Sequence, residues 1–311
     1  DIMANQLYNQ CRVYCAPWRL DALNLNDIID QWIDEGLLPP LIHTFLPYRD
    51  DAGASSEEEI FVNDVANMDN SVGVIGYFDG GTYDSGCAWE VGYAWALGMP
   101  VHLVTTDFLI WAAGNSSEFY PISKLMNYVA KVVSVSDSDA SISNYREQTN
   151  DIIKRALQIL QQNLIADFGT TINPAVPVTP LPIEYDYYLD PNFMYTEPSR
   201  GLLEKIKDAI INAGKTFIVG DNMNDIATDI DNLRKSRQAI FYSDTFEPNV
   251  DTGIMNGIAY ALGQQSIIYC SKQQKYQSAL ATDYLNLMIT WSSTVAHSFA
   301  ELETLIGNTE K

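Results

Sequence analysis

The sequence predicts an α/β protein with two doubly wound, parallel-sheet domains of the flavodoxin-like or Rossmann-like kind, which form a pseudo-dimer within one chain. Two observations support this prediction. Short apolar segments alternate with helical stretches through the first half, and the same alternation starts again after residue 198. The predicted strands of the first half lie near residues 11–16, 41–46, 71–78, 100–105 and 131–135.

The domain boundaries follow from helix periodicity and from proline content. The most periodic helix runs from Asn144 to Ile165 and ends near Gly169, so the first domain is assigned to residues 3–168. Residues 169–198 are rich in Pro and Tyr and are predicted to be a linker that wraps around the surface. Residues 199–311 form the second domain, with helices near 199–213 and 251–263 and strands near 215–219 and 238–243.

An internal repeat relates the two domains. The segment from Tyr93 to Gly98 aligns with the segment from Ile258 to Gly263, with small and large residues in matching places. In that register Glu90 falls opposite Met255. We therefore interpret the second domain as a degenerate copy that lacks the carboxylate of the first.

Composition limits the partners. The 311 residues carry a formal net charge of -22, from 40 acids and 18 bases, which disfavours nucleic-acid polymers and anionic membranes. The 4 cysteines have neither a disulfide framework nor a CxxC spacing, and the 3 histidines are scattered, so no metal site is expected. Without an apolar run long enough to span a bilayer, the chain is expected to be a cytoplasmic protein.

The most informative segment runs from Asp84 to Ala94. It follows a predicted buried strand and a loop with two glycines, which let a ligand approach the backbone closely. After it, Ala88, Val91, Ala94 and Leu97 recur at helical spacing, so Glu90 lies within the first turns of a helix. The dipole of that helix favours an ionised carboxylate.

Four segments together resemble the nucleoside 2-deoxyribosyltransferase family, and its purine-specific branch in particular. They occur in the family's order over about residues 11–135: Val13-Tyr14-Cys15-Ala16-Pro17-Trp18, Leu46-Pro47-Tyr48-Arg49-Asp50-Asp51, Met68-Asp69, and the Glu90 helix with Gly98-Met99-Pro100-Val101 behind it.

The resemblance implies an activity and a set of catalytic residues. Glu90 would be the nucleophile that forms a covalent glycosyl-enzyme, in two displacements that exchange one nucleobase for another. Tyr14 would hydrogen-bond this carboxylate and orient it. Asp69 and Asp84 would lie near the sugar and the base, with Asp84 accepting from the 5′-hydroxyl.

The resemblance also implies the substrate contacts. Asp50 and Asp51 match the acidic loop of the purine branch, Trp18 would stack on the base, and Gly86 belongs to the same binding region. Arg49 adds a positive charge that leaves the preferred base open. A free deoxynucleoside and a free base are the expected substrates, without a cofactor.

A further element of the resemblance is an Asn-x-Met segment that reaches across a dimer interface to complete the neighbouring site. Here Asn286 and Met288 occupy that place in the second domain, whereas the first domain has Lys124 at the aligned position. We therefore expect one active site built from both halves.

Two other functions stay open at this level. A nucleoside or nucleotide N-glycosidase would release the base to water, and a non-catalytic nucleotide-binding module would use the same strand ends without chemistry.

The resemblance implies an assembly of six family domains as three dimers, so three of these duplicated chains would form a homotrimer. The mass in solution, measured by light scattering, is expected to be three times that of the chain. A stable monomer would contradict this assembly.

Overall fold

The protein is described by a computed structural model over most of its length. The described residues are 12–16, 35, 43–45, 47, 53–71, 73–78, 84–105, 110–112, 119–134, 162, 176–221, 225–244, 249–271 and 285–308.

The first half contains a five-stranded parallel sheet. Its strands are β1 (Arg12–Ala16), β2 (His43–Phe45), β3 (Gly73–Tyr77), β4 (Val101–Thr105) and β7 (Lys131–Ser134), in the order β2-β1-β3-β4-β7. Strands β5 (Ile110–Ala112) and β6 (Phe119–Pro121) form a separate antiparallel pair. The described helices are α1 (Glu57–Asp69), α2 (Ser85–Ala96) and α3 (Lys124–Val129).

The second half contains another five-stranded parallel sheet. Its strands are β8 (Tyr185–Leu189), β9 (Phe217–Val219), β10 (Ser236–Tyr242), β11 (Gln265–Tyr269) and β12 (Ser293–Ala296). A 3₁₀ helix, Pro191–Met194, follows β8. The α-helices are α4 (Glu197–Asn212), α5 (Ile226–Arg234), α6 (Val250–Ala261), α7 (Leu287–Ser292) and α8 (Phe299–Asn308).

The two sheets have the same strand order. The second is β9-β8-β10-β11-β12, which repeats the first when each sheet is numbered along its own half. The pairing registers also correspond, since Tyr14 pairs with Val74 and Tyr188 with Ala239 at equivalent places. The predicted fold class is therefore confirmed. The predicted helix at 144–165 lies outside the described residues except for residue 162, which is helical.

One strand lies where the sequence predicts a linker. Strand β8, Tyr185–Leu189, falls within residues 169–198 and is the first strand of the second sheet. The strand shows no alternation of apolar and polar residues in the sequence, because Tyr187 and Tyr188 are both buried, on opposite faces of the sheet. Residues 176–184 before it do connect the halves, since the Val178 amide donates to Ala96 O and the Leu181 amide to Arg234 O.

Short polar residues begin the helices that matter most for the arrangement of the halves. Asp84 caps α2 and Asn249 caps α6, while Ser123 caps α3 and Asn286 caps α7. Each side chain accepts from backbone N–H groups that have no partner inside the helix. Helices α2 and α6 both end with a glycine at positive φ, Gly98 and Gly263, which only glycine adopts without strain.

The halves meet where α2 packs against α6. A Cβ atom on Gly92 would overlap the backbone oxygen of Ile254, and one on Gly257 would overlap that of Trp89. Gly92 and Gly257 are equivalent in the two halves, as are Trp89 and Ile254. This reciprocity is that of an interface with a two-fold axis.

A hydrophobic core runs through both halves across this contact. Phe61, Trp89 and Tyr93 of the first half pack edge-on, stacked or tilted with one another and with Tyr260 of the second. A second core lies on the far face of the second sheet, beneath α4 and α8. None of the described helices is long and apolar enough to cross a membrane.

The close helix contact predicts a large effect of one added methyl group. We expect Gly92→Ala, and equally Gly257→Ala, to lower the free energy of unfolding by about 1–3 kcal/mol, because the helices must separate. Denaturant unfolding measures the change. Gly201→Ala is the control, since Gly201 is exposed within α4 and has open space around it, and it should stabilise by about 0.4–1 kcal/mol. Equal effects at all three glycines would contradict the described contact.

Candidate active site

The candidate site lies at the start of α2, beyond the C-terminal end of β3. The Asp84 carboxylate accepts from the amides of Gly86 at 2.8 Å and Cys87 at 3.0 Å, which fixes where the helix begins. Ligands of doubly wound sheets bind at this edge, next to the strands where the order reverses. Strands β1 and β3 are such a pair here.

Glu90 lies in the second turn of α2 and is buried, with 6% of its surface exposed. An ionised carboxylate at such a place is costly unless neighbouring groups stabilise it. The whole of α2 except Trp95 is buried, because the helix lies between its own sheet and the second half.

Three carboxylates converge on the Cys87 thiol. Its pKa is raised well above the ordinary value, first by burial and then by the negative charges of Asp84, Glu90 and Asp64. The thiol is therefore held protonated, which makes it a poor nucleophile. Glu90 and Asp84 thus both lie near the thiol, with Asp64 as a third member.

Asp64 is a residue that the sequence reasoning missed. It lies on α1 with Phe61 and Met68, on the face of the helix that is buried. The sequence does contain a pattern that indicates Asp64. Phe61, Asp64 and Met68 recur at i, i+3 and i+7, and a carboxylate within such an apolar helix face is unusual.

The structure places Asp69 elsewhere. Asp69 is exposed and is the last residue of α1, where its carboxylate accepts from the Tyr93 hydroxyl at 2.6 Å. Helix α1 runs antiparallel to β3, so its end lies near the start of that strand, at the opposite edge of the sheet from Asp84. The predicted role of Asp69 near the sugar therefore does not fit its position, and Asp64, more than a turn earlier, lies with Glu90.

The second half contributes Asn286 to the site. Its side-chain nitrogen donates to Asp84 Oδ1 at 3.2 Å, while its oxygen accepts from the Met288 amide at 2.9 Å. A Cβ atom on Gly86 would overlap the Asn286 amide, so only glycine allows this approach. Met288 is buried in the shared core. Asn286 thus contacts the start of α2 across the boundary between the two halves.

The first half makes the reciprocal contact. Ser123 Oγ donates to Asp251 Oδ1 at 2.6 Å, at the start of α6. Because Ser123 caps α3 as Asn286 caps α7, Ser123 rather than Lys124 is the structural equivalent of Asn286. The sequence alignment was one residue out of register here.

The second half has no carboxylate at the place of Glu90. Met255 lies there, buried in the shared core. Other parts of the site are repeated, however, because Tyr188 occupies the position of Tyr14, and Asp229 that of Asp64. The Tyr188 hydroxyl donates to both Asp229 oxygens, at 3.0 and 3.1 Å.

Several predicted residues are not described in full. Trp18, Arg49, Asp50 and Asp51 lie outside the described residues. Tyr14 is described as a residue of β1, paired with Phe45 and Val74.

Comparison with known proteins bears on the first half. No curated protein matches the chain significantly. Residues 15–126, which contain β3, α2 and the carboxylates around Cys87, match the family model described as nucleoside 2-deoxyribosyltransferase.

Proposed function

We propose that this protein transfers a 2-deoxyribosyl group from one nucleobase to another, with Glu90 as the nucleophile. The three buried carboxylates near the Cys87 thiol, those of Glu90, Asp84 and Asp64, carry the proposal. The match of residues 15–126 to the nucleoside 2-deoxyribosyltransferase model supports the reaction class.

In the first displacement, a Glu90 oxygen bonds to C1′ of the deoxynucleoside while the bond from C1′ to the base nitrogen breaks. The electron pair leaves with the base, which takes up a proton. A buried carboxylate suits this step, because the sugar develops positive charge in the transition state and Glu90 stabilises it at short range.

In the second displacement, a nitrogen of the incoming base bonds to C1′ and the bond from C1′ to the Glu90 oxygen breaks. The incoming base releases the proton that its nitrogen carried. Two inversions at C1′ leave the configuration unchanged. Attack by water at this stage would release the sugar instead.

The neighbouring groups have distinct roles in this scheme. Asp84 caps α2 and holds Asn286, so it fixes the start of the helix that carries Glu90 and faces the sugar. Asp64 takes the place that the sequence reasoning assigned to Asp69. Because like charges disfavour one another, we propose that these three carboxylates share a proton that is exchanged with the substrate.

The acidic surroundings favour a free nucleoside over a nucleotide. A phosphate group near Glu90 and Asp84 would meet like charges, at a cost of about 1–4 kcal/mol for each pair at about 4 Å. Purine preference is proposed from the loop with Asp50 and Asp51, which could bond the purine edge, and from Trp18, which could stack on the base.

We also propose that the second half arose by duplication and survives because it completes the first. The equal strand orders and the reciprocal contacts of Asn286 and Ser123 support this history. In this view the chain has the domains 3–168 and 199–311, with β8 added to the second from the connecting segment.

The test of Glu90 is base exchange. The wild-type protein, given a purine deoxynucleoside and a second free purine, should form the exchanged deoxynucleoside, and mass spectrometry should detect a deoxyribosyl adduct on the peptide with Glu90. We expect Glu90→Gln to lower exchange at least about a thousandfold and to abolish the adduct, because the amide is a poor nucleophile.

Glu58→Gln is the matched control, since Glu58 is exposed on α1. It should retain both exchange and adduct. Exchange that survives in Glu90→Gln would refute the assignment, and release of free deoxyribose without exchange would identify a hydrolase.

The contact between the halves gives a second test. We expect Asn286→Ala to lower kcat/KM for exchange about 10- to 100-fold, because the donor to Asp84 is lost. Asn286→Ser retains a cap for α7, but its shorter side chain cannot reach Asp84. Compared with Asn286→Ala, it should therefore recover stability but not kcat/KM for exchange. Ser123→Ala removes the equivalent contact at the second half and should leave activity within about threefold of wild type. Equal losses in Asn286→Ala and Ser123→Ala would show that only packing between the halves matters.

A further inference from the structure

The second half encloses carboxylates at the edge of its sheet that corresponds to the candidate active site. Asp229 on α5 is buried, and it accepts from the Tyr188 hydroxyl and, at 3.0 Å, from the Asp221 amide. Gly220 passes so close that a Cβ atom there would overlap the Tyr188 hydroxyl. Proposed catalysis does not use this place, because Met255 replaces the nucleophile.

Asp190, which follows β8, is buried beside it. Its carboxylate accepts from the Asn192 amide at 3.0 Å, the Asn192 side chain at 2.7 Å, the Thr252 hydroxyl at 2.7 Å and the Tyr242 amide at 3.2 Å. These contacts attach the end of β8 to β10 and to the start of α6. Within the described residues, the hydrogen-bond partners of Asp190 and Asp229 are neutral donors.

Asp190 is connected to the contact between the halves through Thr252 of α6, which donates to it. Asp251 lies next to Thr252 at the start of α6 and accepts from Ser123 of the first half. Helix α6 then packs against α2, which carries Glu90, through Gly92 and Gly257. We call Asp190, Asp221, Asp229 and Asp251 the acid cluster.

The members of the acid cluster are close enough to repel one another. All four charges act on the Tyr195 hydroxyl, and with burial as the main cause they raise its pKa to about 12. The groups that face Asp229 are Tyr188 and Asp190 from β8 and its end, and Asp221 after β9. Lys124 of α3 lies near Asp225, whose pKa is lowered mainly by the Thr228 amide and hydroxyl and further by this lysine.

We propose that protonation of the acid cluster controls how firmly α6 is attached to the rest of the second half. The contact between the halves, which α6 forms, is therefore tighter when protons are bound and looser when they are released. The two buried carboxylates of the cluster, Asp190 and Asp229, connect β8, β10, α5 and α6. Ionising both places like charges together where water is excluded, and the charges of Asp221 and Asp251 add to the repulsion, so the structure around them is weakened.

The direction of the pH dependence follows from the shifts. Burial raises the pKa of Asp229 to about 7 and that of Asp251 to about 6, and it also raises the pKa of Asp190. An unfolded chain has aspartate pKa values of about 3.9, so between these values the folded protein binds more protons than the unfolded one. Stability is therefore highest at the acid end of this window and falls as the pH rises towards about 7.

The experiment measures the melting temperature of the full chain between about pH 5 and about pH 8. We expect the wild-type value to fall by several degrees over this range. The melting temperature of Asp229→Asn should fall less and should exceed that of wild type at the alkaline end, because an amide stays uncharged without binding a proton. Asp208→Asn is the matched control, since Asp208 is exposed on α4, and it should follow wild type.

Hydrogen exchange tests whether the effect reaches the contact between the halves. At about pH 8, amides at the start of α6 should exchange more slowly in Asp229→Asn than in wild type, whereas those of α8 should be equal. If Asp229→Asn and Asp208→Asn show the same pH dependence, or if α6 is unaffected, the proposal is wrong. These measurements do not require activity, so they are independent of the proposed transfer reaction.

Tyr188→Phe is a second variant in case the amide disturbs folding. Without the hydroxyl, ionised Asp229 loses a donor, so its pKa should rise further. The loss of stability should then extend to higher pH, with a larger total fall. A fall equal to that of wild type would count against the proposal.

Discussion

The arrangement depends on the contact between helices α2 and α6, where backbone meets backbone. Gly92 and Gly257 leave room for the carbonyl groups of Ile254 and Trp89. Because both helices are buried on nearly all sides, they cannot slide without exposing the core that the halves share. The position of Glu90 relative to the second half therefore follows from glycine at two places in the chain.

This contact explains how a second domain without the central carboxylate can matter. Asn286 lies against Gly86 and Asp84 because α7, between β11 and β12, packs against α2. The aromatic side chains of Phe61, Trp89, Tyr93 and Tyr260 fill another part of the contact between the halves. The second half thus supplies one polar group at the start of α2 and part of the core against which α2 packs.

The sequence predicts most of this architecture, because parallel strands and amphipathic or buried helices have clear periodic patterns. It places Glu90 on α2 and indicates a repeat with Met255 at the equivalent position, and the structure shows two sheets of equal order. It fails where a pattern is short or hidden. Strand β8 lies among prolines and buries adjacent tyrosines on both faces, so it reads as a linker.

Two other differences concern single residues. Asp69 stands closest to the third strand in sequence, yet helix direction carries it to the far edge of the sheet, and Asp64 is the acid that faces inward. The cap of α3 is Ser123 rather than Lys124, which sequence similarity alone could not show because caps are defined by backbone geometry. Side chains that converge in space from α1, α2 and α7 were beyond what spacing along the chain could reveal.

Gly86 and Asp251 stand at equivalent positions of α2 and α6, and they differ for a physical reason. An aspartate in place of Gly86 would collide with Asn286, whereas Asp251 accepts from the smaller Ser123. Two identical subunits could not satisfy both arrangements at once, since each substitution would occur on both sides of the axis. Joining the halves in one polypeptide releases them from this equality, so one can be shaped for chemistry and the other for support.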